Sequence, residues 1–127
     1  MFDAKAVVPD GTKQRERNAK VLLDQGAMTI TSDRNEVLHS IPYRAVMSVS
    51  YSKARQPLWN SPGGPAPIVR VEGGALGFLK GDRHWVALRT KDAFVVVRVD
   101  ADQVARVLSA IEARTGRTTD RIVERQQ

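Results

Sequence analysis

Residues 84–116, HWVALRTKDAFVVVRVDADQVARVLSAIEARTG, decide the fold. Two apolar segments, 84–90 and 93–99, flank the dipeptide Lys91-Asp92, and a segment with helical periodicity follows without a break. With Lys91 and Asp92 as a two-residue turn, Thr90 pairs with Ala93, Arg89 with Phe94, Leu88 with Val95, Ala87 with Val96, Val86 with Val97 and Trp85 with Arg98. Successive strand residues point to opposite sides, so this register sorts the faces. Val86, Leu88, Val95, Val97 and Val99 share a charge-free face, the expected core. Trp85, Ala87, Arg89, Phe94, Val96 and Arg98 share the other. There Arg98 opposite Trp85 and Arg89 opposite Phe94 are expected to form cation-π pairs worth about 0.5–1 kcal/mol each.

Asp100 directly follows the second segment and is placed to cap a helix over 101–115, with Gln103 at capping-box spacing. Val104, Val107, Leu108 and Ile111 recur at i, i+3, i+4 and i+7, while Arg106, Glu112 and Arg114 take the opposite side. Gly116 suits a left-handed C-terminal cap. One face of this helix is therefore expected against the sheet.

Toward the N-terminus the hairpin logic repeats. With Gln25-Gly26 as the turn in 20–31, Leu23 faces Met28 and Val21 faces Ile30 on one side, and Leu22, Thr29, Lys20 and Thr31 lie on the other. A third strand is expected at 36–41, ended by Pro42, and a fourth at 47–51, where Met47, Val49 and Tyr51 alternate with serines. Pro57, Pro62, Gly63, Gly64, Pro65 and Pro67 predict an irregular loop over 53–67, the most mobile internal segment and first protease site. A fifth strand is expected at 68–72, a turn at Gly73-Gly74, a short sixth strand at 75–79 and a loop at 80–83.

Residues 1–18 carry a short apolar patch, the turn signal Pro9-Asp10-Gly11 and the basic run Lys13, Arg15, Arg17. They read as a weakly ordered arm, partly disordered to about Thr12, or as an added edge strand. The expected organisation is thus an arm (1–18), one domain (19–117) and a tail (118–127). A chain of 127 residues with 42% hydrophobic content suffices for one core.

Composition excludes several chemistries. The longest uninterrupted apolar run, 93–97, is far below the roughly 20 residues of a membrane span, and the N-terminus lacks the apolar core of a signal peptide. A cytoplasmic protein is expected, peripheral at most to the inner face of the membrane. There is no cysteine, and two histidines, His39 and His84, are too few for a metal cluster. Neither carries a triad motif, and neither glycine pair is followed by Gly-Lys-Ser/Thr. No metal, cofactor or catalytic residue is expected, and the chain reads as a nonenzyme.

What remains is binding. The net charge of +6 and a pI near 10.2 favour the phosphates of anionic lipid or nucleic acid, or an acidic protein. Candidate ligand-binding residues are Lys53 and Arg55 with Trp59, and Lys80 and Arg83 beside His84 and Trp85. Trp59 either anchors a partner or folds back over the domain's own core. Trp85, Phe94 and Val96, with Leu22, form a candidate association surface, most simply for a second copy of the chain; in a strongly curled sheet the same residues pack within the chain.

The early hairpin, the Ile41-Pro42-Tyr43 step leading into 46–49, and two last strands running into a C-terminal helix together resemble bacterial pleckstrin-homology-like (PH-like) domains. The resemblance covers about 20–116. It implies a mainly β (α+β) fold, a two-sheet antiparallel β-barrel of about seven strands capped by one C-terminal α-helix. It further implies a noncatalytic binding or adaptor module that recognises a protein partner or an anionic membrane surface. Lipid-binding members place several Lys and Arg between strands one and two; on this reading that loop is Asp24-Gln25-Gly26, short and acidic. The alternative is a nucleic-acid-binding domain using the basic surface, with Trp85 and Phe94 as stacking groups.

Overall fold

In chain order the strands are β1 (Phe2–Asp10), β2 (Lys13–Leu23), β3 (Ala27–Ser32), β4 (Val37–Pro42), β5 (Ser48–Ala54), β6 (Leu58–Ser61), β7 (Gly64–Pro67), β8 (Val71–Glu72), β9 (Arg83–Arg89), β10 (Phe94–Val99) and β11 (Thr119–Ile122), with one α-helix, α1 (Val104–Thr115). These come from a computed structural model that describes residues 1–10, 13–61, 64–68, 71–72 and 83–123. The expected turn at Gly73-Gly74, the strand at 75–79 and the loop up to Asp82, including Lys80, lie outside the described residues. Both hairpin registers are as predicted: β9 pairs with β10 from Arg89↔Phe94 to Trp85↔Arg98, and β2 with β3 at Leu23↔Met28 and Val21↔Ile30. Among the described residues, no helix is long and apolar enough to cross a membrane.

One nine-stranded sheet runs β11-β5-β9-β10-β1-β2-β3-β4, with β8 beside β2, and β6-β7 form a separate two-stranded sheet. The expected two-sheet closed barrel is not formed. The chain makes a large open sheet, because among the described residues β4 and β11 end it without pairing to each other. Pro42 has no N–H to donate at the end of β4, and a 3-10 turn at Tyr43–Ala45 carries the chain away. β11 meanwhile lies parallel to β5 and occupies that strand's other edge.

The N-terminal residues are not an arm. β1 pairs with β2 along its whole length, from Phe2↔Val21 to Asp10↔Lys13, and with β10 at Lys5↔Arg98 and Ala6↔Val97. Small apolar residues at alternate positions, Ala4 and Ala6, fit the crowded inner face of a central strand, where Ala6 is buried. The tail likewise contributes β11, whose Ile122 packs with Ala54 and Leu58.

The main core lies on the inner face. It joins Val21, Ile30, Val49, Val86, Leu88, Val95, Val97 and Val99 of the sheet to Val107, Leu108 and Ile111 of α1. Asp100 makes no side-chain cap: a 3-10 turn, Ala101–Gln103, intervenes, and the Gln103 N–H donates to the Asp100 carbonyl at 2.9 Å. The C-terminus follows expectation, with Gly116 at φ 71° and its N–H donating to the Glu112 carbonyl. A residue with a Cβ is strained in that left-handed conformation.

The outer face carries a second cluster of Val7, Val71, Trp85, Ala87 and Val96, with Ile68 packed on it. Trp85 and Val96, expected on an exposed association surface, are therefore buried, at 1% and 4% exposure. The segment after β5 covers them. Gln56 clamps Val71 through both amide ends, Nε2 donating to the Val71 carbonyl (3.1 Å) and Oε1 accepting from its N–H (2.7 Å). The expected irregular loop over 53–67 instead holds the β6-β7 hairpin, with Leu58↔Pro67 and Asn60↔Pro65 in register. Backbone nitrogens two residues apart point to the same side of a strand, so the unpaired edge of a two-stranded ribbon tolerates a proline at both positions.

Two outcomes are expected. Leu108→Ala should lower the unfolding free energy by about 2–5 kcal/mol in a denaturant titration, since the helix would leave a void over the sheet. The Glu112 Oε2 accepts the Thr119 N–H at 2.7 Å and so fastens β11 to α1; this bond is the main cause holding the carboxyl below its ordinary value of 4.5. A carboxyl with a depressed folded-state pKa stabilises above its unfolded pKa and loses that effect as pH falls through the folded value. The stability difference between wild type and Glu112→Gln should accordingly be present at neutral pH and shrink below about pH 4.5, measured by melts across an acid series.

Candidate functional site

The sequence grouped Lys53, Arg55, Lys80 and Arg83 as cationic loop residues. β5 and β9 run antiparallel with Lys53↔His84 and Ala54↔Arg83, which brings Lys53, Arg55 and Arg83 to one end of the strand pair. Alternation then divides them between faces. Lys53 shares the inner face with His84, at the rim beyond the core. Arg83 lies on the outer face, its Nη1 3.8 Å from the Glu16 carboxylate, so it is not a free cation.

Glu16 is the centre of that outer polar group. Both its oxygens accept from Arg98 Nη1, at 3.0 and 2.9 Å, and its side chain is only 17% exposed. The expected stacking of Arg98 on Trp85 is replaced by this pairing, because a carboxylate offers a charged, two-pronged acceptor that a ring face does not. Trp85 instead donates Nε1–H to the Ala54 carbonyl at 2.9 Å and serves the fold.

On the inner face the Tyr51 hydroxyl and His84 Nδ1 are 2.7 Å apart, with the rings near parallel at 6.0 Å, and the Arg121 guanidinium sits 5.5 Å from the Tyr51 ring. Burial pushes the Tyr51 hydroxyl above its ordinary value, and Arg121 opposes the shift. No carboxylate is bonded to His84 among the described residues, and no three His, Cys, Asp or Glu converge on a metal position among them. His39, on β4, is half-buried, and burial lowers its pKa.

The outer face also unites residues that the sequence placed in different candidate groups. Trp59, from the β6-β7 hairpin, meets Phe94 edge to face with ring centroids 6.0 Å apart, and the Arg89 guanidinium lies 5.5 Å from the Phe94 centroid. Phe94 remains 40% exposed and Arg89 is exposed, whereas Trp59 is partly packed on the Ala54–Leu58–Ile122 cluster. Trp59 thus folds back over a small core of the domain while remaining partly exposed. Leu22, on β2, is 39% exposed and does not join this patch. An aromatic pair topped by an arginine is the composition that dominates binding energy at protein interfaces.

Sequence reasoning missed Glu16, Tyr51 and Arg121. Glu16 was legible as the lone acid inside the run Lys13, Arg15, Arg17; the other two become visible only once β11 lies beside β5 with Arg121↔Tyr51.

Glu16→Gln should lower stability by about 1–3 kcal/mol, by leaving two partly buried guanidinium groups short of their acceptor. Chemical denaturation at low and high salt checks this, and the loss should persist at high salt, since the pair is largely shielded from solvent.

No known protein-family model matches the chain, and no curated protein matches it.

Proposed function

We propose that the chain is a noncatalytic PH-like binding module that docks a protein partner through the patch of Trp59, Phe94 and Arg89. The topology supports the PH-like part: four strands in meander, β1 to β4, three more in β5, β9 and β10, β10 beside β1, and a C-terminal helix on the inner face. The observation that carries the docking is the T-shaped Trp59–Phe94 contact with Arg89 beside it, left exposed where the rest of the outer aromatic face is covered. Burial of Trp85 and Val96 reduces the surface available for a second copy of the chain. It also removes Trp85 as a stacking group, which weakens a nucleic-acid reading.

One observation favours a second reading, an anionic membrane surface. With β1 in the sheet, the loop Asp24-Gln25-Gly26 joins the second and third strands. The connection between strands one and two is now residues 11–12, and the basic residues Lys13, Arg15 and Arg17 lie just after it, at the start of β2 itself. Lipid-binding PH-like domains carry basic residues in that loop; here the basic run follows it on the strand.

A pull-down from cell extract with the full chain, comparing wild type, Phe94→Ser and Arg89→Glu, tests the docking. Proteins held by wild type should bind the variants at least about tenfold more weakly, while melting temperatures stay close because both side chains are exposed. Equal retention by all three would overturn it. Sedimentation with anionic vesicles, lost in Arg15→Glu/Arg17→Glu and not in Phe94→Ser, would establish the second reading instead.

A further inference from the structure

Three described cavities differ in the charge of their walls. The first, about 430 Å³ on the outer face of β1 and β2, is lined by Lys5, Lys20 and Arg98 but also by Asp3, Asp33 and Asp100. The second, about 280 Å³ between β4 and the β9-β10 turn, has Lys91 balanced by Asp92. The third, about 580 Å³, is lined by Gln25, Gly26, Pro42, Tyr43, Arg44, Arg114 and Thr115, with two arginines and no acid. It shares no residue with the aromatic patch.

We propose that this third cavity is a phosphate-monoester site in which Arg44 and Arg114 grip the phosphate oxygens. Three elements build it: the β2-β3 turn, the 3-10 turn after β4, and the C-terminal end of α1. Tyr43 fixes the first two to each other, its N–H donating to the Gly26 carbonyl (3.2 Å) and its hydroxyl to the Asp24 carbonyl (2.6 Å). Arg114 is anchored from the helix side, Nη1 donating to the Ala110 carbonyl at 3.3 Å and the guanidinium also reaching the Tyr43 side chain. A guanidinium has five N–H donors, so most of those on Arg114 remain, and Arg44 is exposed with no hydrogen bond or ion pair to another of the described residues.

Two such forks match the oxygens of a dianionic phosphate better than a single carboxylate. The end of a helix would repel an anion through its bare carbonyls. Of the carbonyls at the end of α1, that of Glu112 accepts the Gly116 N–H, while those of Ala113, Arg114 and Thr115 have no helical N–H to pair with and oppose an anion, a repulsion the two guanidinium charges have to outweigh. Asp24, whose carbonyl holds the Tyr43 hydroxyl, has one carboxylate oxygen accepting the Gln25 N–H at 2.8 Å and lies outside the cavity wall. Its charge opposes an incoming anion, which gives the site a residue of opposite sign to test.

The phosphate arises either free or on a lipid headgroup, and two arms separate these. In the first, ¹⁵N-labelled full-length protein is titrated with inorganic phosphate at constant ionic strength. Saturable shifts are expected at Gly26, Arg44 and Thr115, with binding about tenfold weaker in Arg44→Ala, intermediate in Arg44→Lys and tighter in Asp24→Asn. In the second, sedimentation with phosphatidylcholine vesicles containing phosphatidic acid, lost in Arg44→Ala, assigns the phosphate to a lipid; no sedimentation alongside a normal phosphate titration assigns it to a free ligand. Amide spectra of each variant report folding directly. Phosphate shifts spread evenly over basic residues, or an affinity unchanged by Arg44→Ala in folded protein, would overturn the site.

Discussion

Both faces of the β9-β10 hairpin carry large apolar side chains that have to be covered. Val86, Leu88, Val95, Val97 and Val99 on one side and Trp85, Ala87 and Val96 on the other are all buried. A fully buried aliphatic or aromatic side chain is worth about 1.5–3 kcal/mol over its exposed state, so covering only one face would forfeit several kcal/mol. The chain meets this demand twice. The inner face takes α1, delivered directly by the strand that precedes it. The outer face takes Ile68 and Val71, carried over by a segment that starts at the end of β5 and is fixed by the Gln56 amide.

Openness of the sheet follows from the same arrangement. Closing a barrel requires its edge strands to pair, but β4 ends in a proline and a tight turn while β5 accepts β11. The helix already covers the inner face, since Val107, Leu108 and Ile111 belong to one buried cluster with residues of β1, β2, β3, β4, β5, β9 and β10. Pairing the remaining edges would add a few backbone bonds, each worth only about 1 kcal/mol net, at the expense of the turn that Tyr43 anchors.

How much of this was legible depended on whether the signal was local. The hairpins at 20–31 and 84–99 fix their own register by alternation and turn position, so Leu23↔Met28 and Trp85↔Arg98 could be read directly. Leu108 and Gly116 were legible for the same reason. β1 was not, because Ala4 and Ala6 are weakly apolar and look like a terminus until the partner β10 is known. The fate of Trp85 was not legible either: its cover comes from Val71, fourteen residues earlier in the chain, through an amide clamp that no pattern announces. Proline density over 53–67 was read as loss of structure, although spacing by two is compatible with the edge of a ribbon. Of the candidate site residues, Arg83 proved to be tied to Glu16, and the split of Lys53 from Arg83 follows from alternation once β5 and β9 are paired.

Arg89 and Phe94 close the argument because they lie on the same outer face as Trp85 and Val96 yet escape the cover. The register places them at the turn end of the hairpin, two residues or more beyond the positions packed under Ile68 and Val71. Trp59 reaches that end from the β6-β7 ribbon and leaves Phe94 partly in water. The energies separate the two groups. A buried tryptophan with its N–H satisfied contributes several kcal/mol to folding, whereas an exposed edge-to-face pair with a cation beside it contributes about 0.5–1.5 kcal/mol. A fold that lost Phe94 and Arg89 would hold with little change. Phe94 and Arg89 thus shape the surface at the turn end of the hairpin more than they hold the fold behind it.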